Sequence, residues 1–404
     1  MRAGVRSHWH LWLVLALLLL ALGLRAYRLD GQSLWADEGN STALASRSFA
    51  EIARDAALDI HPPLYYFLLR IWTHVFGSTE AGLRALSALC GVALVAAVYG
   101  LGRRLLGDAG GLAAALFAAI SPFQVYYAQE ARMYILMALL GALAAWAAWR
   151  LIEAEMEVAV PAAWPGPALC YTLAAAAGLY THYFFPIVLL AVNLTYLLAW
   201  ALRRAEARKG RHLARWAALQ GVVILLYLPW LPVGLRRVMS WPAGSAAMGP
   251  LDWLRAAWGT LCLGPAQVDA WLLTIPFAAV TLLGLWPWRN LRPRLPTLAG
   301  AGYALPLLGF ALPPFAMVLF GLTSEARLKF LLLSGPFMAL ILARGLAGVA
   351  GWGRSGGMGR RLAAGALLAL ALIGIVAPTA LSLERYYAGG DAGRGPDRMR
   401  LRHL

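Results

Sequence analysis

Two acidic side chains stand together at Asp37 and Glu38 in LDGQSLWADEGNSTALA, just after Trp35 and ahead of a glycine and hydroxyl residues. Such a pair can do acid–base work, one carboxylate taking the proton of an attacking hydroxyl while its neighbour binds a metal or a sugar hydroxyl. At the start of a short helix the same pair also serves as a cap, since carboxylates favour the positive end. Further on, LDIHPPLYYFLL sets Asp59 and His61 before Pro62-Pro63, which start a helix at a defined place. A His pinned there suits a phosphate or metal contact, or a structural hydrogen bond. SPFQVYYAQEARMY carries Glu130 and Arg132 in an otherwise apolar and aromatic stretch. The planar donor fork of Arg132 suits a phosphate at the membrane surface, and equally an interface anchor. GLYTHYFFP places His182 between tyrosines, where it is either structural or part of a site. LTSEARLKFLLLSGPF presents Glu325, Arg327 and Lys329, one of only two lysines in the chain; snorkelling explains Lys329 as well as phosphate pairing does.

The elements that must position these residues are set by composition. With 61% hydrophobic and 13% charged residues and a mean hydropathy of +0.65, the 404-residue chain has too little polar surface to coat a soluble globule. Apolar stretches near the ~20 residues needed for a crossing recur from end to end, so one continuous all-α membrane domain over 1–404 is expected. The first run, Trp9 to Leu24, follows Arg2 and Arg6 and has no small-x-small cleavage site after it, so it reads as an uncleaved helix. Further spans fall at 82–102, 110–127, 133–150, 167–181, 184–202, 216–233, 268–288, 297–320, 329–347 and 362–383. The expectation is a polytopic bundle of about eleven spans.

With the N-terminus inside, the inner gaps collect Arg103/Arg104, Arg150, Arg203/Arg204/Arg208/Lys209/Arg211/Arg215, Arg289/Arg292/Arg294 and Arg344/Arg354/Arg360/Arg361. That bias accounts for the net charge of +16 as a topology signal rather than a nucleic-acid surface. The exception is the short tail, 385–404, whose arginines fall on the outer side. The outer side also holds a long first loop, 25–81, and a second of moderate length, 234–267. In the long loop, Ser48 to Leu58 is short and amphipathic. Pro62 to Phe76 is too short to span, so it lies in the interface or packs re-entrantly. Cys90, Cys170 and Cys262 show no metal or disulfide spacing. No GxxxxGK[ST] or strand-bound GxGxxG occurs, which argues against ATP-driven transport by this chain alone.

Four motifs in order, SLWADE after the first span, DIHPPLYYFLL closing the long loop, LRALSALCGV opening the second span and SPFQVYYAQEARMY between spans three and four, resemble the GT-C class of integral membrane glycosyltransferases. The resemblance is to bacterial relatives of protein O-mannosyltransferases and of the lipid A aminoarabinose transferase. It implies an enzyme that passes a sugar, with inversion, from a polyprenyl-phosphate carrier to an acceptor hydroxyl on the outer side of the bacterial cytoplasmic membrane. The acceptor is a lipid, a glycan or a protein. In such families the first-loop acid is the catalytic base, which maps to Asp37 with Glu38 as its partner. His61 maps to carrier-phosphate or metal binding, and Glu130 with Arg132 to an acidic and basic pair. Lys329-Phe330 stands where many relatives have Arg-Tyr, keeping the charge for a phosphate and losing the phenol. With Asp59 and His182 as further substrate contacts, a divalent metal ion is the one cofactor the resemblance leaves room for. The competing reading is a transporter or flippase of lipid-linked sugars, whose polar residues should concentrate mid-span; here the candidates cluster at span ends. Cysteines placed at Ser33 or Ser78 are expected to react with an impermeant reagent on intact cells, and labelling only after permeabilisation would invert this topology.

Overall fold

Gly107 is where the bundle's longest helical segment turns back on itself. The structure is a computed structural model that describes residues 9–156, 164–202, 209–240, 246–265, 271–288 and 299–388. After α1 (Trp9–Ala26), the long first loop folds into α2 (Ala36–Ala45), α3 (Phe49–Ala56) and α4 (Leu64–Phe76). Ser48 caps α3 reciprocally with Glu51, and Pro63 precedes α4. At 13 residues α4 is too short to cross; it buries Tyr65, Tyr66 and Leu69 and leaves Ile71, Val75 and Phe76 exposed. Next comes α5 (Glu80–Ile120), two apolar limbs joined at Gly107, whose φ of 81° and ψ of −178° suit glycine alone. A Cβ on Gly102 would lie 3.2 Å from the Gly111 Cα and from the Ala114 Cβ, so the limbs are antiparallel and in contact. The spans expected at 82–102 and 110–127 are thus the two limbs of α5, the second ending at Ile120 because Pro122 starts α6 (Pro122–Ala128).

The remaining helices are α7 (Tyr134–Met156), α8 (Pro165–Leu179), α9 (Pro186–Ala201), α10 (Lys209–Tyr227), α11 (Leu231–Met239), α12 (Pro250–Leu263), α13 (Ile275–Leu285), α14 (Ala299–Leu319), α15 (Gly335–Arg354) and α16 (Met358–Ala388). Within the described residues, each of the eleven expected apolar segments overlaps at least one helix or one limb of α5. Among the described residues six helices are long and apolar enough to cross a membrane, or seven if α10 and α11, bent by 82°, count as one span. That bend follows from Pro229 and Pro232, which interrupt the segment expected at 216–233. The segment expected at 329–347 starts instead as a 3-10 stretch, Glu325–Leu333, before α15. Arg203, Arg204, Arg208, Arg289, Arg292, Arg294 and the tail with Arg394, Arg398, Arg400, Arg402 and His403 lie outside the described residues.

Packing is graded from the centre outward. The apolar window of α7 is 83% buried, against 11% for α1 and 22% for α16, so α7 is the axis and the other two are peripheral. Small residues let helices close up: Gly345 of α15 lies against the Val280 carbonyl of α13, and Gly284 of α13 against that of Ile341 of α15. Every described loop assigned to the outer side meets at one end of the bundle. Leu64 N donates to Tyr180 O at 3.1 Å, Arg237 Nε to Ala57 O at 2.8 Å and Met248 N to Thr323 O at 3.1 Å. The opposite end holds the Arg104–Glu153 ion pair. Because open space surrounds both Gly107 and the helical Gly23, substituting each with Ala isolates backbone strain. Gly107→Ala should lower stability by roughly 1–3 kcal/mol in thermal unfolding of the detergent-solubilised chain, whereas Gly23→Ala should be neutral or slightly stabilising.

Candidate active site

The site is assembled from five segments at that common end. In the first, Asp37 and Glu38 lie in the opening turn of α2 and face different surroundings. The Glu38 side chain is 0% exposed: Arg84 of α5 donates Nε to its Oε1 at 2.8 Å and Nη2 to its Oε2 at 2.7 Å. The Ala131 amide also donates to Oε1 at 2.9 Å, and the Trp35 amide to Oε2 at 3.4 Å. Both Glu38 oxygens therefore hold scaffold. The Asp37 side chain is 38% exposed, with its Oδ2 3.4 Å from Nη2 of Arg132.

Arg132, in the turn between α6 and α7, is itself buried. It donates through Nη1 to the Asp37 carbonyl and to Ser41 Oγ, each at 3.3 Å, and through Nη2 to the Tyr134 hydroxyl at 3.3 Å. Its guanidinium carbon lies 5.6 Å from the Tyr134 ring centroid, and Lys329 Nζ lies 5.0 Å from the same centroid. Two cations thus share one phenol ring, whose quadrupole stabilises both. Glu130 is buried in the same turn, and its carbonyl accepts the Arg132 amide at 2.7 Å.

His61 and His182 complete the array. Their ring centroids are 5.4 Å apart, and each sits about 6 Å from Tyr134, at 6.2 and 6.0 Å. Asp59 Oδ2 lies 3.9 Å from His61 Nδ1 and accepts the Tyr66 hydroxyl at 3.5 Å. His182 Nδ1 accepts the Phe184 amide at 3.0 Å, which puts the neutral ring's proton on Nε2; Phe330 packs against this ring at 4.8 Å. Both imidazoles lie in turns outside the spans. Burial, then Lys329 and Arg132, pushes His182 down to about 3. Burial, then Arg132, His182 and Lys329, holds His61 well below the ordinary imidazole range.

Asp37, Asp59, His61, Arg132, His182 and Lys329 therefore converge from segments scattered over the chain, with Glu130 in the turn that carries Arg132. Sequence reasoning did not single out Arg84, Tyr134 or Tyr66. The signals were a charged residue in the first turn of an apolar span and the tyrosines that punctuate each motif. For the divalent ion, the donor set gives no support: Asp37 faces a guanidinium, and no group of three His, Cys, Asp or Glu side chains fit to hold a metal occurs among the described residues. The three cysteines are free.

The architecture is the GT-C fold. It superposes on the oligosaccharyltransferase of Archaeoglobus fulgidus with a TM-score of 0.65 at 14% identity, covering 98% of this chain and 57% of that one. ArnT from Cupriavidus metallidurans gives 0.57 at 14% identity, over 96% and 77% of the two chains. The mycobacterial arabinofuranosyltransferase AftD gives 0.54 at 18%, over 97% and 28%. This chain thus spans little more than half the length of the archaeal enzyme. Residues 60–232, from the His61 turn through α10, match the family model described as dolichyl-phosphate-mannose-protein mannosyltransferase. No curated protein matches the sequence significantly.

Because both imidazoles resist protonation when folded, the unfolded chain takes up protons first as pH drops below about 6.5. Stability is then complete above that pH and declines toward about 3, where His182 titrates in the folded state. Thermal unfolding scans between pH 7 and pH 5 should show a falling midpoint, and His182→Gln should shallow the slope. A pH-independent midpoint would contradict neutral buried imidazoles.

Proposed function

We propose that this chain is an inverting membrane glycosyltransferase that moves a sugar from a polyprenyl-phosphate carrier to an acceptor hydroxyl at the outer face of the cytoplasmic membrane. The observation that carries the reading is the partly exposed Asp37 carboxylate beside Arg132, with Lys329 over the same Tyr134 ring as Arg132. A lipid-linked donor keeps its phosphate at the interface and its tail in the bilayer, so cations at the ends of spans are where that phosphate must sit. The relatives support this chemistry: the Cupriavidus ArnT has been solved with undecaprenyl phosphate, and the archaeal oligosaccharyltransferase with an inhibitory peptide and a dolichol-phosphate.

In the proposed step, Asp37 accepts the acceptor hydroxyl's proton as that oxygen attacks the anomeric carbon. The bond from the anomeric carbon to the phosphate oxygen breaks on the opposite face, so configuration inverts. Charge gathers on the departing phosphate, where Arg132, Lys329 and the imidazole N–H groups of His61 and His182 stabilise it. Neutral imidazoles remain donors across the working pH range while adding no charge to the two fixed cations. Asp59 and Glu130 are assigned to the sugar's hydroxyls. Glu38 acts through Arg84 and the Ala131 amide, holding Asp37 and Arg132 in register.

Asp37→Asn should reduce transfer from a polyprenyl-phosphate sugar in reconstituted vesicles by roughly 100-fold or more, with expression and unfolding midpoint retained. Full activity in that variant would sink the mechanism.

A further inference from the structure

Gln129 is 2% exposed and joins three distant parts of the chain. Its Nε2 donates to Tyr27 O at 2.8 Å, Arg25 O at 3.1 Å and Leu24 O at 3.4 Å, carbonyls left without helical partners at the end of α1. Its Oε1 accepts the hydroxyl of Tyr386, near the end of α16, at 2.7 Å. The Tyr386 ring packs on Tyr126 of α6 at 5.4 Å, and its neighbour Tyr387 donates its hydroxyl to the Leu24 carbonyl while its own backbone carbonyl accepts Arg28 Nη1 at 2.6 Å. Because the α1 carbonyls demand a donor, the amide has one workable orientation, and its oxygen must face Tyr386.

Only two residues separate Gln129 from Arg132's own position in the turn, with Glu38 gripping the Ala131 amide and Ser87 Oγ donating to the Arg132 carbonyl at 3.3 Å. The turn that presents Arg132 is thus held on one flank by Glu38 and on the other by Gln129. We propose that Tyr386 and Gln129 are positioning residues for Arg132: the last described helix sets where the guanidinium stands relative to Asp37. The proposal rests on the carrier-phosphate reading of the site, and its test separates the two.

Undecaprenyl phosphate is the probe, titrated onto the full chain in nanodiscs, alongside hydrogen exchange over residues 129–133. Tyr386→Phe keeps the ring and removes the hydroxyl; Gln129→Met is a near-isosteric second variant. Each should weaken undecaprenyl phosphate binding by roughly tenfold and speed exchange in that turn, and Tyr386→Phe should add nothing in an Arg132→Ala background. Unchanged exchange and affinity in both variants, or a full additive loss in the Arg132→Ala background, would overturn the proposal. Absence of binding by the unsubstituted chain would count against the carrier-phosphate reading alone, with exchange at 129–133 still deciding whether Tyr386 positions the turn.

Discussion

The buried ion pair between Glu38 and Arg84 is the contact on which the site depends. Arg84 also donates to the carbonyls of Leu29, Gln32 and Ser33, so one guanidinium gathers the first loop onto α5. Glu38 passes the constraint on to the α6–α7 turn through the Ala131 amide. Removing either partner would strand a charge without water, which typically costs about 3–5 kcal/mol. A pair this demanding is held in place by its geometry: both carboxylate oxygens are satisfied, and so is each branch of the guanidinium.

Around that scaffold the charges are arranged by division of labour. Adjacent carboxylates share a backbone but not an environment: Glu38 is withdrawn into the protein, while Asp37 keeps access and a cationic neighbour. Arg132 and Lys329 both stand over the Tyr134 ring. An anion entering beside Tyr134 would meet both cations and two uncharged N–H donors. The mutual repulsion of the cations is relieved most when such an anion is present.

Much of this was legible in the sequence. Helical class follows from hydropathy alone, although eleven spans are expected where six or seven helices among the described residues are long and apolar enough to cross, and the candidate loop residues stand out because polar side chains at span ends are conspicuous against an apolar background. What pairs with what was not legible. Asp37 and Glu38 look equivalent in a string, and their separation depends on Arg84, 46 positions away. Proline-set ends were misplaced at 216–233 and 329–347 because hydropathy registers composition and is blind to a bend. Gln129 stands inside SPFQVYYAQEARMY, but its partner Tyr386 is 257 positions distant.

That last distance has a consequence for biosynthesis. Chains enter the membrane from the N-terminus, so α1 through α15 are made before α16 emerges. Until then the Gln129 oxygen lacks its tyrosine and the α1 end lacks Tyr387. The turn bearing Arg132 is therefore completed only once α16 has inserted. A nascent chain holding the earlier helices carries every residue assigned to the chemistry, yet its Arg132 turn is not fully assembled, which ties competence to the arrival of α16.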